Sequence, residues 1–236
     1  MDLKSKIILI SGPTASGKSK AALKIAKKLN GEIINADSMQ VYKELNILTA
    51  SPSKIDLNKI DHHLYGFRSV KKEFSSGEWL KLAKKNIKKI RDKNKIPVLV
   101  GGSGLYFKAL TDGLVKIPKI PISVRDKIRR IQNKLGQKKF YLKLLKNDPL
   151  VKNKIDPTDV QRSIRAYEVI SFTKKSVFDW YTKTKPSFKK DQFIKIYVDY
   201  PKDKLINKIS KRVDQMMKDG AIQEVKDFLK LNLKSD

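Results

Sequence analysis

One octapeptide constrains this chain more than any other feature: Gly12-Pro13-Thr14-Ala15-Ser16-Gly17-Lys18-Ser19. It satisfies the P-loop pattern at every position and sits in the required context. A short apolar strand, residues 6–11, precedes it, and a helix over 18–29 follows, with Ala22, Ile25, Ala26 and Leu29 at helical spacing. A second strand is expected over 32–35, which completes a βαβ unit and predicts a parallel sheet. The glycines let backbone N–H groups turn inward around phosphate oxygens, and the helix start presents its positive dipole end to the same anion. Lys18 supplies a point charge and the Ser19 hydroxyl can ligate Mg²⁺. The motif therefore calls for a di- or triphosphate ligand, without specifying the reaction.

Further along, a helix is expected from Ser76 or Gly77, with Trp79, Leu82, Ala83, Ile87 and Ile90 on one face. Residues 96–100 form a continuous apolar run and read as a buried central strand. In ordinary P-loop nucleotidases such a strand ends in an acid that serves magnesium. Here it runs into Gly101-Gly102-Ser103-Gly104. The acid comes instead at the end of the second strand, as Asp37, and strand C-termini in a parallel sheet converge on the ligand crevice. Asp37 should then lie beside the phosphate cradle; a solvated loop aspartate or a helix N-cap is the alternative.

The character of the chain changes near Leu114. Pro118 and Pro121 punctuate, and charged helical segments follow to about Asp191. An alternating strand pattern returns over 193–198, and Pro201 opens a helical region with Leu205, Ile209, Val213 and Met216 expected inward. After Gly220, Ile222, Val225 and Leu229 are expected to continue an apolar face. The expected fold class is α/β: a P-loop core, residues 1–113 and 192–236, with a parallel sheet flanked by helices. Residues 114–191 form an inserted basic helical domain.

Charge points the same way as this organisation. The 53 Lys/Arg outnumber the 24 Asp/Glu, for a net charge of +29. The insertion alone holds 21 Lys/Arg against seven Asp/Glu, or +14, at about twice the density of the rest. Only eight of the 53 are arginine, as an A/T-rich genome would produce, but codon bias explains less well why acids are so outnumbered. A polyanionic partner is expected, and nucleic acid is the commonest. Without cysteine there are no disulfides or thiolate metal sites, and the adjacent His62 and His63 cannot build a zinc site alone. Packing or capping is their expected use, as core packing is for Phe178, Trp180 and Tyr181. No stretch is long and apolar enough to span a bilayer, and no signal peptide is visible, so a cytoplasmic protein is expected.

Taken together, the motifs resemble the tRNA dimethylallyltransferases (tRNA isopentenyltransferases). The resemblance rests on Gly12 to Ser19, on Asp37-Ser38-Met39-Gln40-Val41-Tyr42, on Thr49-Ala50 and on His62-His63-Leu64. It continues through residues 97–106 and 159–169, and ends with Arg212-Val213-Asp214 before Gly220. It implies transfer of a dimethylallyl group from dimethylallyl diphosphate to the exocyclic amine of the adenosine 3′ of the anticodon. The P-loop residues Gly12, Pro13, Thr14, Ala15, Ser16, Gly17, Lys18 and Ser19 would hold the diphosphate, with Mg²⁺ on Ser19. Asp37 would be general base, Arg212 would help hold the diphosphate, and the target base would be flipped into the site. The tRNA anticodon stem-loop is the implied partner of Asp37, Ser38, Met39 and Gln40, and of Gln161, Arg162, Ser163, Ile164 and Arg165. Ser103 and Arg125 are placed with them. Arg162 and Arg165, three apart on a helix, share a face, and arginine's planar fork suits phosphate and base edges. A monomer is expected.

The sequence departs from the family pattern in three places. Ser103 stands for the usual threonine and Ser51 for a common lysine. The resemblance implies further helices and a basic, Trp-containing segment beyond the Gly220 region, whereas the sequence given runs to Asp236, so a fragment or a shortened protein is expected. A nucleotide kinase and an inactive RNA-binding fragment are the rival readings.

Overall fold

The computed structural model describes residues 3–182 and 184–233. The chain divides into two compact units, Met1–Thr111 with Pro186–Asp236, and Asp112–Lys185. The first is built on a five-stranded, fully parallel sheet. Its strands are β1 (Ile7–Ser11), β2 (Gly31–Asn35), β3 (His62–His63), β4 (Ile96–Val100) and β5 (Phe193–Tyr197), in the order β3-β2-β4-β1-β5. β1 follows from the run Ile7-Ile8-Leu9-Ile10, which side-chain alternation divides between the two faces of the sheet. Ile7 and Leu9 join Ile34, Leu99, Trp79, Ile87 and Leu110 on one side. Ile8 and Ile10 join Ala22, Ala26, Ile33, Val98 and Val100 on the other.

Helices cover both faces. α1 (Lys18–Lys28) follows the P-loop and buries Ala22 and Ala26. α2 (Lys54–Leu57) is a single turn. α3 (Ser76–Asp92) starts from a capping box in which the Ser75 side chain accepts from Glu78 N–H and Glu78 answers the Ser75 N–H. It buries Trp79, Ala83, Ile87 and Ile90 at helical spacing. α4 (Gly104–Thr111) brings Tyr106 flat against Trp79, with ring centroids 4.2 Å apart and planes at 10°. Such a pair contributes about 0.5–1.5 kcal/mol beyond its buried area.

At the far end of this unit the inward pattern is weaker than expected. On α8 (Lys202–Lys218), Leu205, Ile209 and Met216 are only half-buried and Val213 is 49% exposed. On α9 (Ala221–Leu229), Ala221 is the buried residue, and Ile222, Val225 and Leu229 are exposed. The apolar spacing is real, but within the described residues it meets the unit along a narrow stripe.

The second unit is helical: α5 (Ile122–Asn147), α6 (Val160–Thr173) and α7 (Val177–Tyr181). α5 is broken at Gly136, where φ is 69°. Phe140, Tyr141, Leu144, Val151, Ala166, Tyr167 and Val169 form its core, with Phe178 and Trp180 packed against them. Those two aromatics pack as expected, while Tyr181 stays 52% exposed. Among the described residues no helix is long and apolar enough to cross a membrane.

Candidate active site

β1 delivers the P-loop to the C-terminal end of the sheet. Gly12 must be glycine: a Cβ there would stand 2.5 Å from the Val198 carbonyl oxygen. The loop turns with Ala15 and Gly17 at positive φ and α1 begins at Lys18. The Lys18 ammonium donates to the Pro13 carbonyl at 3.1 Å. Burial holds the Lys18 pKa below the ordinary lysine range; Asp37 pulls it back up and Arg212 pushes it down. A diphosphate seated there would favour the charged form.

The glycine that replaces a strand-end acid has a geometric reason. A Cβ on Gly101 would lie 2.1 Å from the backbone carbon and oxygen of Ala36. The chain leaving β2 crosses that spot: Ala36 N–H donates to Val100 O at 2.8 Å and Ser103 N–H to Ala36 O at 3.1 Å. Only a residue without a side chain after Val100 lets β2's exit pass. The crossing segment carries Asp37 to the cavity.

Asp37 is held from both sides. Asn35, fully buried, accepts the Asp37 N–H at 2.7 Å on its side-chain oxygen. The Asn35 amide nitrogen donates to Asp37 O and Leu64 O, both at 2.9 Å, and Trp79 Nε1 donates to Asn35 O at 2.9 Å. Asp37 Oδ1 accepts the Met39 N–H at 3.0 Å. Ser103 accepts the Ser38 N–H at 2.8 Å and donates to the Ser38 hydroxyl at 3.1 Å. Gln40 turns its amide away into the loop 45–51, donating to Thr49 O at 2.8 Å and Ala50 O at 2.9 Å.

Asp37, Met39 and Gln40 border a cavity of about 270 Å³, which Asn35, Ser38 and Ser103 do not line. Thr14, Lys18, Ser19, Asp37 and Arg212 give it a polar side; Met39, Leu48, Ala50, Tyr65 and Val100 give it an apolar one, with Gln40, Thr49 and Gly101 between. Burial, then the Asp37 charge, pushes the Tyr65 phenol well above its usual pKa, so it stays neutral. A phosphate cradle and a carboxylate thus share one cavity with an apolar wall.

Known proteins share this arrangement of chain. The IPP transferase family pattern matches residues 40–236. The tRNA dimethylallyltransferase of Pelagibacter ubique is 59% identical over 236 residues, which is 100% of this chain and 75% of that protein. The chain belongs to this family. The tRNA dimethylallyltransferase of Rickettsia massiliae is 46% identical over 93% of this chain, which spans only 61% of that relative's length. A eukaryotic dimethylallyltransferase solved acting on tRNA superposes with a TM-score of 0.80 at 30% identity, covering 96% of this chain and 56% of that one. The full-length tRNA isopentenylpyrophosphate transferase from Bacillus halodurans gives 0.63 at 31%, covering 98% and 72%.

The sequence-predicted residues of this family member divide by unit. Lys18, Ser19, Asp37 and Arg212 meet at the cavity with Thr14, Met39 and Gln40. Ser16 lies behind the loop, its hydroxyl buried without a hydrogen-bond partner. In the second unit Gln161, Arg162 and Arg165 are exposed on α6. Arg162 Nε is 3.4 Å from Asp159, and Arg165 donates to Glu168 at 3.2 Å. Arg125 Nε reaches the other Glu168 oxygen at 3.9 Å. Ser163 is fully buried, receiving a hydrogen bond from Gln137 at 3.1 Å, and Ile164 is half-buried against the helical core.

His62 and His63 form β3 and bond within the first unit, outside the cavity lining. His62 Nδ1 lies 2.7 Å from Ile60 O, and His63 Nε2 lies 2.7 Å from Glu32. Glu32, fully buried in β2, also receives Lys93 at 3.0 Å and Lys95 at 2.9 Å. Three site-forming residues escape sequence reading. Asn35 left one signal, a lone amide ending an apolar strand. Tyr65 and Leu48 left none, since nothing in their surroundings marks them as cavity lining.

Proposed function

We propose that the cavity binds dimethylallyl diphosphate and that the chain transfers its dimethylallyl group to the exocyclic amine of the adenosine 3′ of the anticodon in tRNA. The observation that carries this reading is one cavity with Lys18 and Arg212 at its anionic end, Asp37 beside them and an apolar wall of Met39, Leu48, Tyr65 and Val100. A prenyl diphosphate needs both characters; a nucleotide phosphoryl donor would call for an acid after β4, where Gly101 stands. The relatives named above are tRNA-modifying transferases of this kind.

In the reaction the allylic C–O bond breaks as the N–C bond forms, and diphosphate leaves. P-loop N–H groups, Lys18 and Arg212 stabilise the charge gathering on it. The adenine nitrogen becomes positive, and Asp37 takes its proton, a step typically worth about 10²- to 10⁴-fold. Magnesium would fit this donor set: the Ser19 hydroxyl lines the cavity beside Lys18, and Mg²⁺ commonly rests on substrate phosphates with one or two protein oxygens. Ser19 would hold it, and it would supply charge neutralisation on the leaving group. Ser38, Met39 and Ser103 on the core, and Arg125, Gln161, Arg162 and Arg165 on the helical unit, are the proposed tRNA contacts. Action in the cytoplasm as a monomer belongs to the same proposal.

The test is incubation with dimethylallyl diphosphate, Mg²⁺ and unmodified tRNA, then mass analysis of nucleosides. An adenosine heavier by one dimethylallyl group is expected. ATP-dependent phosphorylation of a nucleotide, with no modified adenosine, would establish a kinase instead.

A further inference from the structure

The loop 45–51 forms one wall of the cavity through Leu48, Thr49 and Ala50. Within it Thr49 donates from its hydroxyl to Leu45 O, Ala50 N–H to Ile47 O at 2.9 Å and Ser51 N–H to Asn46 O at 2.9 Å, the Thr49 and Ser51 hydroxyls lie 3.0 Å apart, and the Gln40 amide holds the Thr49 and Ala50 carbonyls. Three successive N–H groups of this loop point elsewhere. Asn46 and Ile47 donate to Glu224 Oε1 at 2.7 and 2.8 Å, and Leu48 donates to Glu224 Oε2 at 2.9 Å. Successive N–H groups turned to one side form a concave anion receptor, and here a carboxylate from 176 to 178 residues away fills it.

Glu224 stands in the first turn of α9. Apart from Ala221 that helix is held by little apolar burial, and it follows α8 through Gly220 at φ 100°. α8 carries Arg212 to the cavity. Charge-assisted hydrogen bonds to backbone N–H are about twice as strong as neutral ones. Three on one carboxylate therefore tie α9 firmly to the loop.

We propose that Glu224 is a positioning residue: its carboxylate latches the 46–48 backbone to α9, so that the Leu48-Thr49-Ala50 wall and Arg212 close on the same diphosphate ligand. This rests on the proposed use of the cavity for a prenyl diphosphate, but its test separates from that reading. Amide hydrogen exchange and calorimetric binding of inorganic diphosphate are compared in the wild type, Glu224→Ala and Glu224→Gln. In Glu224→Ala, exchange at Asn46, Ile47 and Leu48 should quicken roughly 10- to 100-fold. Diphosphate affinity should fall about tenfold and the circular dichroism spectrum should stay unchanged. Glu224→Gln, which keeps one accepting oxygen, should lie between. In transfer assays the KM for dimethylallyl diphosphate should rise by a similar factor with kcat changed less. A merely structural role would lower the active fraction and leave KM alone. Unchanged exchange at these three amides, or unchanged diphosphate affinity, overturns the latch. Absence of transfer in the wild type would count against the reaction while leaving both of the other readouts to decide the latch.

Discussion

At the scale of single residues, the proposed reaction turns on Asp37, whose position the Asn35 side chain fixes. Asp37→Asn keeps the shape and the oxygen that receives the Met39 N–H, and removes the basicity. A single-turnover rate lower by about 10²- to 10⁴-fold is expected, with tRNA and diphosphate affinities little changed. A variant that binds poorly yet reacts normally at saturation would make Asp37 a positioning group. Lys18→Ala should act differently, because it removes the counter-charge of a desolvated diphosphate. Its loss should appear in the affinity for dimethylallyl diphosphate, measured by titration. Asn35 stands behind Asp37: it is fully buried and fixes Asp37 on its N–H and carbonyl sides.

At the scale of elements, the parallel sheet decides where the acid can be. Gly101→Ala would drive a methyl group into the Ala36 backbone at 2.1 Å, and backbone cannot yield as a side-chain tip can. A loss of about 1–3 kcal/mol in denaturant unfolding is expected, with transfer activity falling further because β2's exit carries Asp37. Glu32 poses a similar question at the other end of β2. Burial alone would raise its pKa, but hydrogen bonds from Lys95, His63 and Lys93 hold it at about 2. A carboxyl depressed in the folded state stabilises above its unfolded value near 4.5 and loses that contribution as pH falls towards 2. Glu32→Gln should therefore flatten the acid limb of the stability profile over that window. It should cost only about 1–3 kcal/mol at neutral pH, since both lysines can turn to water. Much of this architecture was legible: the P-loop, the central strands and α3 follow from apolar periods and one motif, and Asp37 from the topology rule for strand ends. What was not legible depended on contacts distant in sequence. Nothing near Glu224 reveals that its partners are the amides of 46–48, and the apolar spacing of α8 promised a burial that Val213 does not have.

At the scale of the whole molecule, a net charge of +29 makes any association with RNA strongly salt-dependent, because each neutralised phosphate releases counterions. The exposed α6 arginines allow that field to be resolved into contacts. Arg162 is 75% exposed at its side chain, and its neighbour Asp159 also caps α6 by accepting the Arg162 N–H at 2.9 Å. Arg162→Ala keeps that backbone cap, so the helix should remain intact and the melting temperature unchanged. If Arg162 meets a phosphate, the slope of log affinity for tRNA against log salt should fall by about 1. Arg125→Ala should behave otherwise. Glu168 is buried, and Arg125 and Arg165 hold its two oxygens, so the variant leaves the carboxylate with one of its two cations. A fall in melting temperature should accompany any change in tRNA affinity there. The comparison calls for binding measured across a salt series for wild type, Arg162→Ala, Arg165→Ala and Arg125→Ala, each beside a thermal melt. Arg162→Ala and Arg165→Ala binding tRNA with the wild-type slope would show that the exposed face of α6 is not where the RNA lies.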